Sequence, residues 1–353
     1  MSSHDACKTS ASVSSILNWN RASGTPSARF GRRPRTRCTR AGESSPADGS
    51  IHRPLSLLPM VGLFPDSIPL ALRVVVWVMV GWLGLRLWLF YRVYRRRIAS
   101  LDRDWCDYCR HQTTAEVDEE ARTVTFSHVR DFTWRGTKDR DEAWAKDVTF
   151  DLNAIKDVWY IVDHFSKTKG IAHTMLTFQF LDGKAVTFSF EARRDASDRF
   201  SPWEGMWRAY ELYLSIGFER DMIFLRTNAR KNQVHRYRTT TSRRRERQLF
   251  MLLARRADEL ARKPEWYHSL STTCATELRA QINRISPVRI PYVWRLLLPG
   301  HSPRMAYRLG LLQRWGTFEE TRERSRIDLV AQAWDGEGDY SAMLDAALPG
   351  HAK

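Results

Sequence analysis

The sequence predicts an α+β fold, an antiparallel sheet with packed helices, preceded by one transmembrane helix. Three stretches carry the prediction. Val74 to Tyr91 is apolar on all sides and of membrane length. Residues 172–192 alternate apolar and polar types about an Asp182-Gly183 step, the mark of a β-hairpin. Ala275, Leu278, Ile282 and Ile285 recur at helical spacing behind the capping types Ser271, Thr272 and Thr273. A chain of 353 residues with 43% hydrophobic and 12% aromatic residues can build one large core or two modest ones, which excludes a wholly disordered protein.

Residues 1–59 are rich in Ser, Arg and Pro, poor in acids and without apolar period. They read as a disordered leader or a start assigned too early, since Met60 stands directly before the first apolar stretch; a targeting segment or basic arm is the other reading. The membrane helix is expected over 68–92. Arg86 alone interrupts its apolar run and can snorkel to the interface, where Trp77, Trp82, Trp88 and Tyr91 also belong. Arg92, Arg95, Arg96 and Arg97 follow it, and by the positive-inside rule they favour a cytoplasmic C-terminal side.

The globular domain is expected over 101–286. Val124–Val129 and Phe150–Ile155 read as short strands, and Ala172–Leu181 with Lys184–Ala192 as the hairpin. Leu176, Phe178 and Phe180 share one face of its first strand, and Val186, Phe188 and Phe190 one face of its second. Both sets are even-numbered, so paired residues sum to an even number, which favours a three- or five-residue loop over a two-residue one. His173 and Glu191 then fall together on the opposite face, where they either line a solvated surface or work as a pair. A helix is predicted over Trp203–Ile216 from Met206, Trp207, Tyr210 and Leu214, a strand over Met222–Arg226, and a helix over Thr241–Arg262 with Leu249, Leu252, Leu253 and Leu260 inward. Residues 287–353 read as a helical extension with apolar pieces at Arg304–Trp315 and Ile327–Trp334.

The net charge of +16 and the pI near 10.0 suit either nucleic acid or an anionic membrane. Residues 226–247 carry nine Lys or Arg without a recognition motif, so they read as a solvated loop and helix start, or as a contact for lipid headgroups. No specific nucleic acid is expected, and the oligomeric state is not legible. The five cysteines, Cys7, Cys38, Cys106, Cys109 and Cys274, do not make a disulfide framework. Cys106 and Cys109 form a lone Cys-x-x-Cys pair with no partner run, which weighs against a metal or redox site. Cys274 is different: in the first turn of a helix, free N–H groups and the dipole favour its thiolate. Its plain alternative is a small buried hydrophobe. A nucleophile needs a base, and His173 oriented by the carboxylate of Glu191 can supply one.

Read together, His128–Gly136 (HVRDFTWRG), Gly170–Phe180 (GIAHTMLTFQF), Phe188–Asp195 (FSFEARRD), Glu219–Arg230 (ERDMIFLRTNAR) and Pro264–Leu278 (PEWYHSLSTTCATEL) occur in the order of the Lnb family. The chain resembles those lipoprotein N-acyltransferases, with a periplasmic thiol-enzyme domain, over roughly Asp102 to Gly350. The resemblance implies Cys274 as nucleophile and His173 as base. It matches Glu191 and Arg193 to a Glu-x-Arg step, and Asp221 and Arg226 to the ERD…LRT run. Arg193, Arg226 and Asp221 are thereby weak substrate-binding candidates, with structural ion pairs as the competing role. Thr273 stands where the family usually has Asn, and Ala275 where it has Thr; if that Asn donates to an oxyanion, activity is expected to be weakened or altered. The order of His before Cys is also similar to circularly permuted papain-like enzymes, with the base on a strand and the thiol at a helix N-terminus.

The function expected from the resemblance is a membrane-anchored thiol acyltransferase. It would move an acyl chain through a Cys274 thioester to a lipoprotein N-terminal amine, with a membrane lipid and a lipoprotein as partners and no cofactor or metal. Backbone N–H groups around Thr273 and Cys274 would hold the oxyanion. The same residues serve a thiol hydrolase, peptidase or esterase; a non-enzymatic, basic, membrane-attached binding module is the third reading. The resemblance implies a single-pass protein of the inner (cytoplasmic) membrane with a periplasmic domain, against the side favoured by Arg92–Arg97. Family members often carry more membrane helices upstream, so a truncated N-terminus is a further expectation.

Overall fold

The computed structural model describes residues 69–168 and 170–348. The expected leader, residues 1–59, lies outside the described residues. Two units meet between Arg73 and Val74; of the first, only Pro69–Arg73 is described, the opening turn of a helix. That helix, α1 (Leu70–Arg96), extends beyond the predicted 68–92 at its C-terminal end. Its apolar part, Leu70–Tyr94, is 25 residues with no burial inside the protein. At 1.5 Å per residue it reaches about 37 Å, enough for a hydrocarbon core of about 30 Å. Arg86 lies over the Trp82 ring and Arg92 over Trp88, so both cations rest on aromatic faces.

The rest is built on an eight-stranded sheet. Its strands are β1 (Ala115–Asp118), β2 (Thr123–Arg130), β5 (Trp144–Asp151), β6 (Ile155–His164), β7 (His173–Phe180), β8 (Ala185–Arg193), β9 (Glu211–Phe218) and β10 (Gln233–Arg238). The two-residue strands β3 (Thr133–Trp134) and β4 (Arg140–Asp141) pair separately. The order is β1-β2-β9-β8-β7-β6-β10, with β5 on β2, and every pairing is antiparallel except the single β2–β9 contact at Arg130 and Gly217.

The hairpin register agrees with the parity argument. Leu176 faces Phe188 and Phe178 faces Val186, which leaves Leu181, Asp182 and Gly183 as a three-residue loop. Gly183 supplies φ +87, where a Cβ would be strained, and Asp182 accepts from the Lys184 N–H. The even-numbered side chains pack beneath α3 (Arg243–Arg262) and α4 (Cys274–Ile285) in the main core. Phe250 of α3 meets Phe126, Phe150, Phe178, Phe180 and Phe188 at ring separations of 5.0–5.8 Å.

The odd face is covered as well. Trp159, Ile161, Met175, Ile223 and Val234 pack against Ile327, Ala331, Tyr340 and Leu344. These come from the C-terminal helices α8 (Asp328–Gln332) and α9 (Tyr340–Ala346), and from the segment between α7 (Phe318–Arg324) and α8. The predicted apolar piece Arg304–Trp315 overlaps α6 (Ser302–Arg308), which is preceded by the short α5 (Trp294–Leu297) and followed by Gly310 at φ +70.

Four local expectations are corrected. Trp203–Ile216 is not a helix: Arg208 takes φ +52, which no helix interior tolerates, and Leu212, Leu214 and Ile216 alternate into the core as β9. Met222–Arg226 is not a strand; it joins α2 (Glu219–Met222) to a π-turn at Leu225–Ala229. Phe150–Ile155 is not one strand, because β5 stops at Asp151, which caps a 3-10 turn over Leu152–Ala154 before β6 begins. The basic run 226–247 is not a solvated loop: it includes β10, and Arg226 and Arg236 are buried in ion pairs with Glu191 and Glu219.

Candidate active site

Helix α4 begins where the sequence placed it. Thr273 is its N-cap, with φ −115 and ψ 175, and its hydroxyl accepts from the Thr276 N–H while Thr276 Oγ1 accepts from the Thr273 N–H at 2.7 Å. This reciprocal box fixes the entry of the chain and sets Cys274 as the first helical residue. It also consumes the Thr273 N–H. The helical N–H groups of Cys274 and Ala275 remain without an intrahelical acceptor and are the backbone donors available at this end.

Cys274 is 8% exposed and lines a cleft of about 730 Å³ with His173, Glu191, Arg226 and Tyr267. Strand β7 delivers His173 at its first residue, and β8 delivers Glu191 next to the neighbouring strand's edge of the same cleft. Burial pushes the Cys274 thiol up, but His173 beside it prevails and brings it down to about 7, with Thr174 assisting. His173 is likewise disfavoured as a cation by burial, and Cys274, then Glu191, raise it above its ordinary value. The pair therefore shares its proton near neutrality.

Glu191 does not contact the imidazole directly. His173 Nε2 lies 2.6 Å from Ser189 Oγ, and that hydroxyl donates to Glu191 Oε1 at 2.9 Å; the direct His173–Glu191 distance is 4.0 Å. Ser189 is fully buried and relays between them. Arg226 donates to Glu191 Oε1 at 3.0 Å and to the Met222 carbonyl at 2.6 Å. Burial raises the Glu191 carboxyl, yet Arg226, His173 and Arg130 outweigh it and hold it at about 2, so it is ionised at neutral pH.

Ser189 escaped the sequence reading because nothing distinguishes it from any other strand serine. Its odd number, shared with Glu191, was the available signal. Thr174 was missed too. Its hydroxyl is fully buried, meets no protein partner at full hydrogen-bonding geometry, and lies beside the Cys274 thiol whose acidity it increases.

The remaining candidates divide. Arg226 lines the cleft but is bound by Glu191 and the Met222 carbonyl, with Asp163 at 3.5 Å. Asp221 lies outside it and is saturated by Arg130 Nε and Nη2, the Phe132 N–H and Trp134 Nε1 at 2.7–3.0 Å. Arg193 also lies outside, donating to the Cys109 and Arg110 carbonyls with its guanidinium 4.1 Å from the Trp105 ring. Cys106 and Cys109 are free thiols whose sulfurs are 2.9 Å apart, and Cys106 is at the cleft's edge. Among the described residues, no cluster of His, Cys, Asp and Glu has the makings of a metal site.

The cleft's rim joins the domain to α1. Phe200 lines the cleft, and the same loop carries Trp207, whose ring lies 4.7 Å from Phe90 and 5.9 Å from Tyr94 at the foot of α1. Exposed Trp203 stacks edge-on against Trp207. An aromatic loop at the end of an apolar helix is what a membrane–water interface selects.

Comparison with known families matches residues 140–300 to the Lnb N-terminal periplasmic domain. Residues 140–300 are thus a domain of the Lnb family. The matched segment contains His173, Ser189, Glu191, Arg226 and Cys274, whereas β1 to β3 precede it. No curated protein and no solved structure gave a significant match. The Lnb segment is thus a mixed α/β domain, and the chain adds one N-terminal apolar helix to it.

Proposed function

We propose that this protein is a membrane-anchored thiol acyltransferase. The observation that carries the reading is one cleft holding a helix-terminal Cys274 with a lowered pKa, His173 beside it, and a Ser189–Glu191 relay behind the histidine. His173 takes the Cys274 proton, and the thiolate attacks the carbonyl carbon of a lipid ester. The oxyanion meets the N–H groups of Cys274 and Ala275 and the hydroxyl of Thr174, which lies beside the thiol. As the tetrahedral intermediate collapses, the C–O bond breaks and the imidazolium returns its proton to the leaving alcohol, leaving a thioester. An amine then attacks the thioester, His173 accepts the amine proton, the C–S bond breaks, and the amide departs as the thiol is restored.

The acceptor proposed is the N-terminal amine of a lipoprotein, the substrate implied by the family. A permuted papain-like plan is part of the proposal, supported by a candidate base on a strand that precedes the helix of the candidate nucleophile. The domain is proposed to lie in the periplasm, held by α1 to the inner membrane, because ester donors and lipoprotein termini concentrate at that surface. In a strain that relies on this protein, mass spectrometry of lipoprotein N-termini should find the amide-linked acyl chain with the wild type and lose it with Cys274→Ala. Unchanged acylation in that variant would sink the mechanism; the free carboxylic acid as sole product would make the enzyme a hydrolase.

A further inference from the structure

A second cavity lies on the other side of α4, distinct from the polar cleft. It measures about 200 Å³ and is walled by Tyr160, Leu176, Leu249, Leu278, Ile282 and Met305, from the sheet, α3, α4 and α6. No acidic side chain lines it among the described residues. Arg279, at its edge, is held by the Ile290 carbonyl. An apolar cavity of about 150 Å³ stays dry and takes up benzene, so a space of this kind holds hydrocarbon in preference to water.

Its position relative to the thiol gives it a role. Ala275, the residue after Cys274, is part of its wall. Tyr160 marks the boundary: its ring lines the cavity, its hydroxyl is 2.6 Å from Ser302 Oγ, and its phenol, raised chiefly by burial, is raised further by Cys274. Cys274 itself lines the polar cleft, so a chain bonded to its Sγ would reach the aliphatic space by passing Ala275 and Tyr160.

We propose that this cavity is the acyl-chain site, holding the first carbons of an unbranched hydrocarbon chain joined to Cys274. The inference rests on the thioester reading for its biological ligand, but the cavity's preference for hydrocarbon can be measured without acyl transfer. Ala275 suits the site because it leaves room at the point of entry.

Alkyl methanethiosulfonates provide the test. The Cys274 thiolate attacks the alkyl-bearing sulfur, forming a mixed disulfide and releasing methanesulfinate, so no other reductant or oxidant is required. The full chain in lipid nanodiscs would be treated with the methyl and the hexyl reagent, and modification at Cys274 followed by peptide mass. Reagent partitioning into lipid is common to all variants and cancels between them. The hexyl-to-methyl rate ratio of the wild type should fall about tenfold in Ile282→Trp and in Met305→Trp, as burial of about two methylenes is lost. These partly buried sites are on different helices, and an unchanged thermal melt would certify folding of at least one. A ratio unaltered in both folded variants would overturn the proposal. A cavity-dependent ratio alongside unacylated lipoproteins in cells would support the cavity and defeat the acyl-transfer reading alone.

Discussion

At the scale of single residues, the candidate site is a set of opposed forces on protons. Burial alone would keep Cys274 neutral, and His173 reverses that to reach about 7. Alkylation of Cys274 should therefore rise with pH through a midpoint near 7. In His173→Gln the cation is gone and burial acts unopposed, so the midpoint should move upward and the rate below pH 7 should drop about tenfold for each unit moved. A midpoint unmoved by His173→Gln would remove the histidine from the base role. Ser189→Ala tests the relay. It leaves Glu191 4.0 Å from the ring, so turnover should fall about tenfold or more with KM little changed. A normal pH profile and normal turnover in that variant would show the hydroxyl to be mere filling. The pairing of His173 with Glu191 was legible because strand parity is strict. Ser189 and Thr174 were not, since their importance depends on what α4 and the buried carboxylate bring to them.

At the scale of elements, α4 was the most readable part of the chain, because its cap, its apolar face and the candidate cysteine lie within a short stretch. The capping box gives a stability prediction. Thr273→Ala removes the side-chain acceptor and should cost about 1 kcal/mol, whereas Thr273→Asn keeps a comparable cap and should melt within a few tenths of the wild type. Thermal denaturation of the full chain measures both. Equal losses for Ala and Asn would deny Thr273 its capping role. The segment over Trp203–Ile216 was misread for a reason that is equally local. Met206, Trp207 and Tyr210 happen to fall at helical spacing, but the positive φ at Arg208 breaks the chain there, and strand alternation takes over from Leu212. Single residues at strained backbone angles leave little mark in hydropathy. The strand misassigned over Met222–Arg226 has a different cause: Glu219 and Asp221 flank it, and their charge is neutralised only by Arg236 and Arg130 from distant strands.

At the scale of the whole molecule, the sequence showed a hairpin with one apolar face, and the second face looked polar enough for solvent. It is instead closed by the C-terminal helices, and the closure is ionic at its centre. Arg236 donates to Glu219 Oε1 at 2.9 Å and to Asp345 Oδ1 at 2.7 Å, with its guanidinium 3.9 Å from the Trp159 ring. Asp345 of α9 also accepts from Gln179 and Lys156, so one carboxylate binds the extension to β6, β7 and β10. This network turned part of a basic run into core, which no local reading of 226–247 could reveal. Burial raises the Asp345 carboxyl, but Arg236 and the other donors prevail and hold it below its ordinary value. Its contribution to stability is thus present above the unfolded pKa of about 4 and lost as pH falls through the lower folded value. Arg236→Met leaves buried Glu219 without its cation and Asp345 with Lys156 alone, and should cost about 3–5 kcal/mol at pH 7. Acid protonates those carboxylates in the variant before it does so in the wild type, because their folded pKa values rise once the cation is absent. The stability gap between the two proteins should therefore narrow as pH is lowered from 7 to about 4. Denaturant titrations of the full chain at both pH values decide the matter: a gap that stays constant would mean that Arg236 holds the extension by packing on Trp159, and that charge plays no part in closing the second face.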